Sequence, residues 1–498
     1  MEPDLTSQTA YKNKKSLFYI SLVFISFVFI SVFSFHSSPL SMYSGRDAAF
    51  FQLVGRGMTK GMLPYRDFFD MKGIYFFFIE YFSQLLCYGR IGCYLFEAVN
   101  FFIILILIDR IHLIFRPDIK LYIRYLALIP YLWIMAITFE GGNLTEEFSL
   151  PFVLICILLC EKYCLNSDAP HPPLYGAVYG FCFGAIGFIR ITNTAAICAV
   201  VLAIFINLII NKEYLCIVRN GLCFIAGLVI AVLPGLIYCS YNGILYEMLD
   251  SVFSFGYTYA AEGKMFNLFF FNPEFIVYLF LALFPVFTVL LFKNCNRFLK
   301  LFVFVDFAAS VMALSMGNCY PHYFTMLIPN LAVGVSVVIS NMDSDKMKQC
   351  KISTAVLCCL LLCLVPSMFM ISKSAVKSLL VKFNFLDYDN SAAEIAENIP
   401  ESDRDSVYTY EISSSWYLDT GLFPCIKYCD WQNHYIALSE KVKEDLKNTL
   451  TESPPRWIVT ENSEEAENIL PDFLESDLAE HYSLYSRNSG YNLWQLKS

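Results

Sequence analysis

The sequence predicts a polytopic α-helical membrane protein of about eleven spans, with a small α/β domain at its C-terminal end. Three observations predict it. Of 498 residues, 57% are hydrophobic and only 16% are charged, whereas a soluble globular chain carries about 25% charged residues. Apolar runs long enough to cross ~30 Å of hydrocarbon recur along the first three quarters of the chain. The final stretch, 380–498, has no such run and holds 9 Lys/Arg against 22 Asp/Glu, while 1–379 holds 26 against 22. The expected division is therefore a transmembrane domain over 1–379 and a water-soluble domain over 380–498. An acidic domain of this kind is a poor surface for nucleic acid, which is not expected as a partner.

The expected spans are 17–35, 91–109, 121–138, 147–161, 175–190, 192–211, 219–239, 274–292, 299–315, 323–341 and 352–372, with the division near 190 the least defined. Lys12, Lys14 and Lys15 precede the first run, which has no small-residue cleavage pattern and reads as a retained span. Basic residues then alternate between the links. Arg110, Arg116 and Lys120, then Lys162, Lys212 and Arg219, Lys293, Arg297 and Lys300, and Lys346, Lys348 and Lys351 fall on one side. The opposite side is nearly bare apart from the first long loop, Arg190 and Lys264. By the positive-inside rule the N-terminus is cytoplasmic, and the first loop and acidic tail face outward from a plasma membrane. Most of the 18 cysteines lie inside apolar runs, where Cys acts as a small hydrophobe. No pair has zinc spacing, so neither a disulfide framework nor a metal knuckle is expected. Cys425 and Cys429 are the tail pair that spacing would allow to join.

The outer loop 36–90 is far longer than a link between spans requires. Phe50, Phe51, Val54 and Met58 stand near helical spacing, and 72–88 is aromatic-rich with a polar stripe of Glu80, Ser83 and Gln84. Two interfacial helices joined at Leu63-Pro64-Tyr65 are expected. Further outer segments are Glu140-Gly-Gly-Asn-Leu-Thr-Glu-Glu147, Arg190-Ile-Thr-Asn193, the Tyr/Phe-rich 240–273 loop and Gly317-Asn-Cys-Tyr-Pro-His-Tyr323. The tail alternates strand-like runs (407–410, 457–460, 482–485, 491–494) with helical ones (392–398, 436–450, 464–474), the pattern of a small α/β domain. No internal repeat is visible, which weighs against an inverted-repeat transporter.

Several outer-face groups could carry chemistry. Asp47 follows the first span: a carboxylate near hydrocarbon is suited to take a proton from a hydroxyl, and Asp before Ala-Ala-Phe-Phe is equally suited to cap a helix. Asp67 and Asp70 either cap the second interfacial helix or hold Arg66 and Lys72. Glu146 and Glu147, after a flexible Gly-Gly, could bind a cation, accept a sugar hydroxyl or cap the span that follows. Asn143-Leu144-Thr145 matches a glycosylation triplet. Arg190 lies deep enough in apolar sequence to need a partner, either an anionic ligand such as phosphate or an acid such as Asp47 or Glu147. His322, between Tyr320 and Tyr323, is either a second phosphate donor or an interfacial histidine. Glu97 and Asp306 are further intramembrane acids without an evident role. Acids for a hydroxyl, cations for an anion and aromatics for sugar faces on one membrane side fit glycosyl transfer from a lipid-linked phosphate.

The order Asp47, Gly61-Met-Leu-Pro-Tyr-Arg-Asp67, Asp70-Met-Lys72-Gly73-Ile74 resembles the GT-C superfamily of integral-membrane glycosyltransferases. Within it, the likeness is to the group with protein O-mannosyltransferases and aminoarabinose transferases. Gly142–Glu147, Arg190–Asn193 and Tyr320–Tyr323 resemble the same group, in order and orientation. Ile74 stands where relatives often have Pro, and Asn318 where they often have Arg. The resemblance implies a GT-C-like fold and transfer of a sugar, usually with inversion, from a polyprenyl-phosphate donor on the outer face. The acceptor would be an envelope glycan, lipid or protein. It implies Asp47 as general base, Arg190, Lys72 and His322 at the donor phosphate, and Glu146 or Glu147 at the acceptor or a metal. Asp67, Asp70, Tyr65, Asn193, Tyr320 and Tyr323 would support them. The family varies in metal use, so a divalent cation is left open and no other cofactor is expected. A lipid-linked oligosaccharide ligase or polymerase is the alternative enzyme, and a lipid or solute transporter or flippase the alternative outside enzymes.

Overall fold

The computed structural model describes residues 5–41, 44–261, 275–292, 295–315, 320–342, 390–463 and 470–497, with isolated positions between 369 and 380. The expected span 352–372, Lys264 and Asn318 lie outside the described residues, apart from isolated positions in that span. The chain divides into two compact units. One comprises Met1–Ser38, Tyr94–Gly235 and Gly263–Leu379, the other Pro39–Cys93, Leu236–Glu262 and Leu380–Ser498.

In chain order the helices begin with α1 (Leu5–Phe33), α2 (Arg46–Thr59), α3 (Ile74–Leu86), α4 (Arg90–Phe115), α5 (Leu121–Thr138), α6 (Thr145–Cys164) and α7 (Pro173–Gly187). A 3-10 turn (Ile191–Thr194) leads into α8 (Ala195–Ile210), followed by α9 (Tyr214–Tyr241) and α10 (Leu245–Leu249). A π-turn (Asp250–Phe255) precedes α11 (Gly256–Ala261). Then come α12 (Phe275–Leu291), α13 (Arg297–Leu314), a 3-10 segment (Pro321–Leu327) and α14 (Ile328–Ser340).

Among the described residues six helices are long and apolar enough to cross a membrane: Lys15–Phe33, Arg90–Phe115, Leu121–Thr138, Ile191–Ile210, Tyr214–Tyr241 and Pro321–Ser340. Four more stand at expected spans. α6 carries Glu146, Glu147 and Glu161 among its apolar residues and α13 carries Asp306, while α7 and α12 are shorter, at 15 and 17 residues. The chain near 190 is two helices, broken by an extended Arg190 and the 3-10 turn after it. Pro130, Pro151, Pro234 and Pro285 lie inside helices, as membrane helices tolerate where neighbours satisfy the freed carbonyls.

The membrane unit is held by aromatic and small-residue packing. Phe29 stacks on Phe101 with ring centres 4.4 Å apart, and Tyr278 stacks on Phe324. In α7 the spacing Gly176, Gly180, Gly184 makes a small-residue stripe against α9. A methyl group on Gly180 would strike the Phe224 carbonyl, and one on Gly227 the Ala177 carbonyl. Between membrane helices such stripes let backbones approach closely. The opposite face of α9 leaves Leu222, Ile225, Val229, Ile230, Leu233 and Ile237 exposed, as a lipid-facing surface would.

The second unit contains α15 (Ser391–Ala396), β1 (Val407–Thr409), α16 (Ser415–Thr420), α17 (Gln432–Leu438), α18 (Glu440–Glu452), β2 (Trp457–Glu461), α19 (Asp472–His481), β3 (Tyr482–Arg487) and β4 (Tyr491–Leu496). The sheet order is β1-β2-β4-β3, with β1 parallel to β2 and the other pairs antiparallel. All four strands fall where alternation places them. The single helix expected over 436–450 is two, because Ser439 turns extended and its hydroxyl caps α18 at Val442 N, a role serine fills readily. Of the helix expected over 464–474, residues 464–469 lie outside the described set and α19 starts at Asp472.

α2 and α3 are the two helices expected in the first loop. α2 is buried along most of its length, at Ala48, Ala49, Phe50, Phe51, Gln52, Leu53 and Val54. Gly55 fits against the Glu80 backbone, where an added methyl would come within 2.8 Å. The loop is one body with the tail: Phe69 packs against Phe255, Tyr428 and Tyr435 at 5.0, 4.9 and 5.3 Å, and its N–H donates to the Lys427 carbonyl at 2.9 Å. Cys425 and Cys429 are free thiols.

Candidate active site

Asp47 lies in the first turn of α2, and Gly45, not Asp47, occupies the N-cap position. The capping reading is thereby set aside. The Asp47 carboxylate Oδ1 instead accepts the indole N–H of Trp431 at 2.9 Å. Trp431 is fixed from several sides. Its own N–H donates to Asp430 Oδ1 at 2.9 Å, and the Arg46 guanidinium lies 4.2 Å from its ring centre. Arg46 is ion-paired with Asp430 and, at 3.1 Å, with Glu411. Burial pushes the Asp430 carboxyl up to about 6, even though Arg46 and Ser414 stabilise its charge.

The turn after α2 carries the other loop candidates. Tyr65 is fully buried in a left-handed conformation (φ 67°), and its hydroxyl donates to the Lys72 carbonyl at 2.8 Å. Asp67 Oδ2 accepts Leu63 N–H at 2.6 Å and closes the turn, with Arg66 3.4 Å from its other oxygen. Asp70 Oδ1 accepts Lys72 N–H at 2.7 Å and lies 3.6 Å from Lys72 Nζ. Burial raises the Asp70 carboxyl, Lys72 lowers it and the nearby Asp47 charge adds to the rise. Lys72 Nζ also stands 5.5 Å from the Phe51 ring centre.

In the membrane unit, residues 140–143 all have positive φ (47°, 98°, 76° and 59°). Two of them are glycine, but Glu140 and Asn143 pay a steric cost there. Glu97 from α4 anchors this turn: its carboxylate accepts Asn143 N–H and the hydroxyls of Ser34 and Ser37. Glu147 Oε1 accepts Leu144 N–H at 3.0 Å, capping α6. Asn143 is 1% exposed, so the Asn143-Leu144-Thr145 triplet is no accessible glycosylation acceptor.

Arg190 Nη1 pairs with Glu146 Oε1 at 2.5 Å, and its guanidinium lies 4.1 Å from the Tyr323 ring centre. Thr145 donates to Glu146 Oε2 at 3.0 Å, and Asn193 donates to Ser149 Oγ at 3.1 Å. His322 Nδ1 bonds Glu140 Oε2 at 2.5 Å, and its ring stacks on Tyr320 and meets Tyr323 edge-on. The 3-10 turns at 191–194 and 321–327 thus bring Arg190, Asn193, Tyr320, His322 and Tyr323 together with the start of α6. A small cavity of about 40 Å³ is lined by Arg190, Asn193, Ser310 and Tyr323. It shares Thr192, Ala195 and Ala313 with a groove of about 660 Å³ between α8 and α13, whose walls include Leu202, Phe304, Val305 and Met312. A polar pocket lined by the Glu146-paired Arg190 therefore adjoins an apolar groove.

Six described non-glycine residues have φ in the left-handed region, and five of them (Tyr65, Glu140, Asn143, Glu411 and Trp431) belong to these two clusters. Such strain concentrates where function over-determines the backbone. Among the described residues no group of three or more His, Cys, Asp and Glu could hold a metal ion, and Glu146 and Glu147 are engaged by Arg190 and by the α6 N-terminus. Sequence reasoning left Glu97 unplaced and missed Trp431, Glu411 and Asp430. Asp306, also unplaced, accepts the Asn330 amide at 2.7 Å.

No protein-family model and no curated protein matches the sequence. Among solved structures, ArnT from Cupriavidus metallidurans bound to undecaprenyl phosphate is similar at a TM-score of 0.61 and 10% identity, over 96% of this chain and 97% of that one. Its apo form is similar at 0.55 and 10%, over 97% and 98%. The archaeal oligosaccharyltransferase AglB from Archaeoglobus fulgidus, in complex with an inhibitory peptide and a dolichol-phosphate, gives 0.44 and 11%, over 96% and 74%. The helix order and the likeness to ArnT over nearly its whole length agree: this multi-pass membrane protein has the fold of the ArnT structures.

Proposed function

We propose that the protein transfers a sugar from a polyprenyl-phosphate donor to an extracytoplasmic acceptor in the cell envelope, a glycan, lipid or protein. The observation that carries this reading is the union of the Arg190 pocket with the apolar groove between α8 and α13. A lipid phosphate is an anion on a hydrocarbon tail, and such a site offers complementary surfaces to both parts. The ArnT structure that shares the fold holds undecaprenyl phosphate, which supports the same donor class.

In this reading Arg190 stabilises the charge that develops on the departing lipid phosphate. Its guanidinium is a permanently charged planar fork, the geometry that suits a phosphate. His322, with Nδ1 engaged by Glu140, would present Nε2, and Lys72 would add a point charge. Glu146 and Glu147 set the Arg190 orientation and the helix start at the acceptor side. Asp47 takes the proton from the acceptor hydroxyl, which attacks the sugar anomeric carbon as the bond to phosphate oxygen breaks, giving inversion. Tyr65, Asp67 and Asp70 hold the loop that presents Asp47 and Lys72, and Asn193, Tyr320 and Tyr323 hold the Arg190 pocket.

The test supplies purified protein with radiolabelled undecaprenyl-phosphoryl sugars and an envelope extract. Transfer by wild type that is lost in Asp47→Asn supports the reading. Transfer that survives unchanged in Asp47→Asn removes Asp47 as base, and movement of lipid across vesicles without transfer favours a flippase.

A further inference from the structure

The geometry points to Trp431 as the positioning residue of the base: its indole N–H fixes the Asp47 carboxylate, so the acidic tail completes the catalytic site instead of merely covering it. This rests on the reading of Asp47 as base. Four observations converge on the indole. The N–H meets Asp47 Oδ1 at 2.9 Å. Trp431 holds a left-handed backbone (φ 54°) that a tryptophan adopts only under constraint. That constraint is visible, because Asp430 accepts its N–H and Arg46 covers its ring. Arg46 immediately precedes Asp47, and its pairs with Asp430 and Glu411 tie the first turn of α2 to the 411 and 430 turns of the tail.

The chemistry follows from the donor. Indole N–H gives a proton to a hydrogen bond but cannot accept one, and it does not ionise. It engages one carboxylate oxygen, orients the group and leaves the other oxygen to meet an acceptor hydroxyl. The other charges around Asp47 are Arg46 on α2, Asp70 and Lys72 on the loop, and Asp430 and Glu411 on the tail, with the Tyr435 hydroxyl beside them.

The test is Trp431→Phe in the full chain, assayed with radiolabelled undecaprenyl-phosphoryl sugar and an envelope extract. Loss of a hydrogen bond to a charged group predicts a rate lower by about tenfold to a hundredfold. The donor KM stays within about twofold, since Trp431 does not touch the donor in this account. Trp431→His, which restores a ring N–H donor, recovers part of the rate. A second arm reads tryptophan emission: Asp47→Asn shifts it in the wild-type background and leaves it unchanged in Trp431→Phe. A Trp431→Phe enzyme with wild-type rate overturns the proposal, as does emission that ignores Asp47. If Asp47→Asn is itself active, the base reading fails instead, while the emission arm still reports whether the two side chains are joined.

Discussion

Arg190 and Glu146 form an ion pair at 2.5 Å, with Glu146 only 2% exposed and the guanidinium resting on Tyr323. A pair this secluded persists because each charge neutralises the other. Removing one partner of a buried pair typically costs about 3–5 kcal/mol. Glu146→Ala is expected to lower the unfolding midpoint of the detergent-solubilised protein strongly. Glu146→Gln, which keeps an acceptor for Arg190, is expected to cost less.

Arg190 itself is asked to hold an anion. Arg190→Lys keeps the charge but loses the planar fork that serves Glu146 and a phosphate at once. Its transfer rate is expected to fall by roughly tenfold to a hundredfold, and that of Arg190→Ala further, by analogy with removal of one preorganised donor. The decrease should show in kcat/KM, as expected where one cation both binds the donor phosphate and stabilises its departure.

The groove between α8 and α13 makes a separate prediction. Ala308→Trp adds bulk to its wall without touching Arg190. The KM for a long-chain polyprenyl-phosphate sugar should rise severalfold while that for a short-chain analogue changes little. The comparison of chain lengths is the measurement that separates groove filling from general damage.

The α7–α9 contact predicts a stability difference between two glycines. Gly180→Leu places a side chain against the Phe224 carbonyl, and overpacking of this kind costs about 1–3 kcal/mol or more. At Gly221 an added methyl meets nothing within 4 Å, so Gly221→Ala should be neutral or stabilising by up to about 1 kcal/mol. Thermal unfolding of both variants beside wild type checks it.

Asp430 gives the tail a pH signature. Its folded carboxyl titrates near 6, above an ordinary value of 3.8, so the folded state binds the proton more tightly than the unfolded chain does. Its contribution is therefore favourable below about pH 4 and is lost as pH rises to about 6, on the order of 3 kcal/mol for two pH units. Asp430→Asn should flatten that part of the stability curve. Chemical denaturation followed at pH 4, 5, 6 and 7 for both proteins reads the difference directly.

How much of this was legible in the sequence depends on the range of the interaction. Apolar runs and alternating strands report on local periodicity, and the helices and all four tail strands follow them. The Gly141-Gly142 pair announced a turn, and Glu146 and Arg190 were visible as charges in apolar sequence. Their pairing was not, because Arg190 had several acids to choose from. Trp431 was invisible for a different reason. It lies 384 residues from Asp47, in a tail without a motif, and an indole carries no charge to draw attention. Glu97 was seen as an intramembrane acid, but its role required the left-handed turn it anchors. Asn143 misled because a glycosylation triplet says nothing of burial.

The central claim is that the Arg190 pocket and its groove hold a lipid phosphate. Native mass spectrometry of the purified protein with undecaprenyl phosphate and with undecaprenol tests it most directly. The account predicts that wild type retains the phosphate lipid well in preference to the alcohol, and that Arg190→Ala erases the preference while leaving the alcohol unchanged. Equal retention of the two lipids by wild type would contradict it.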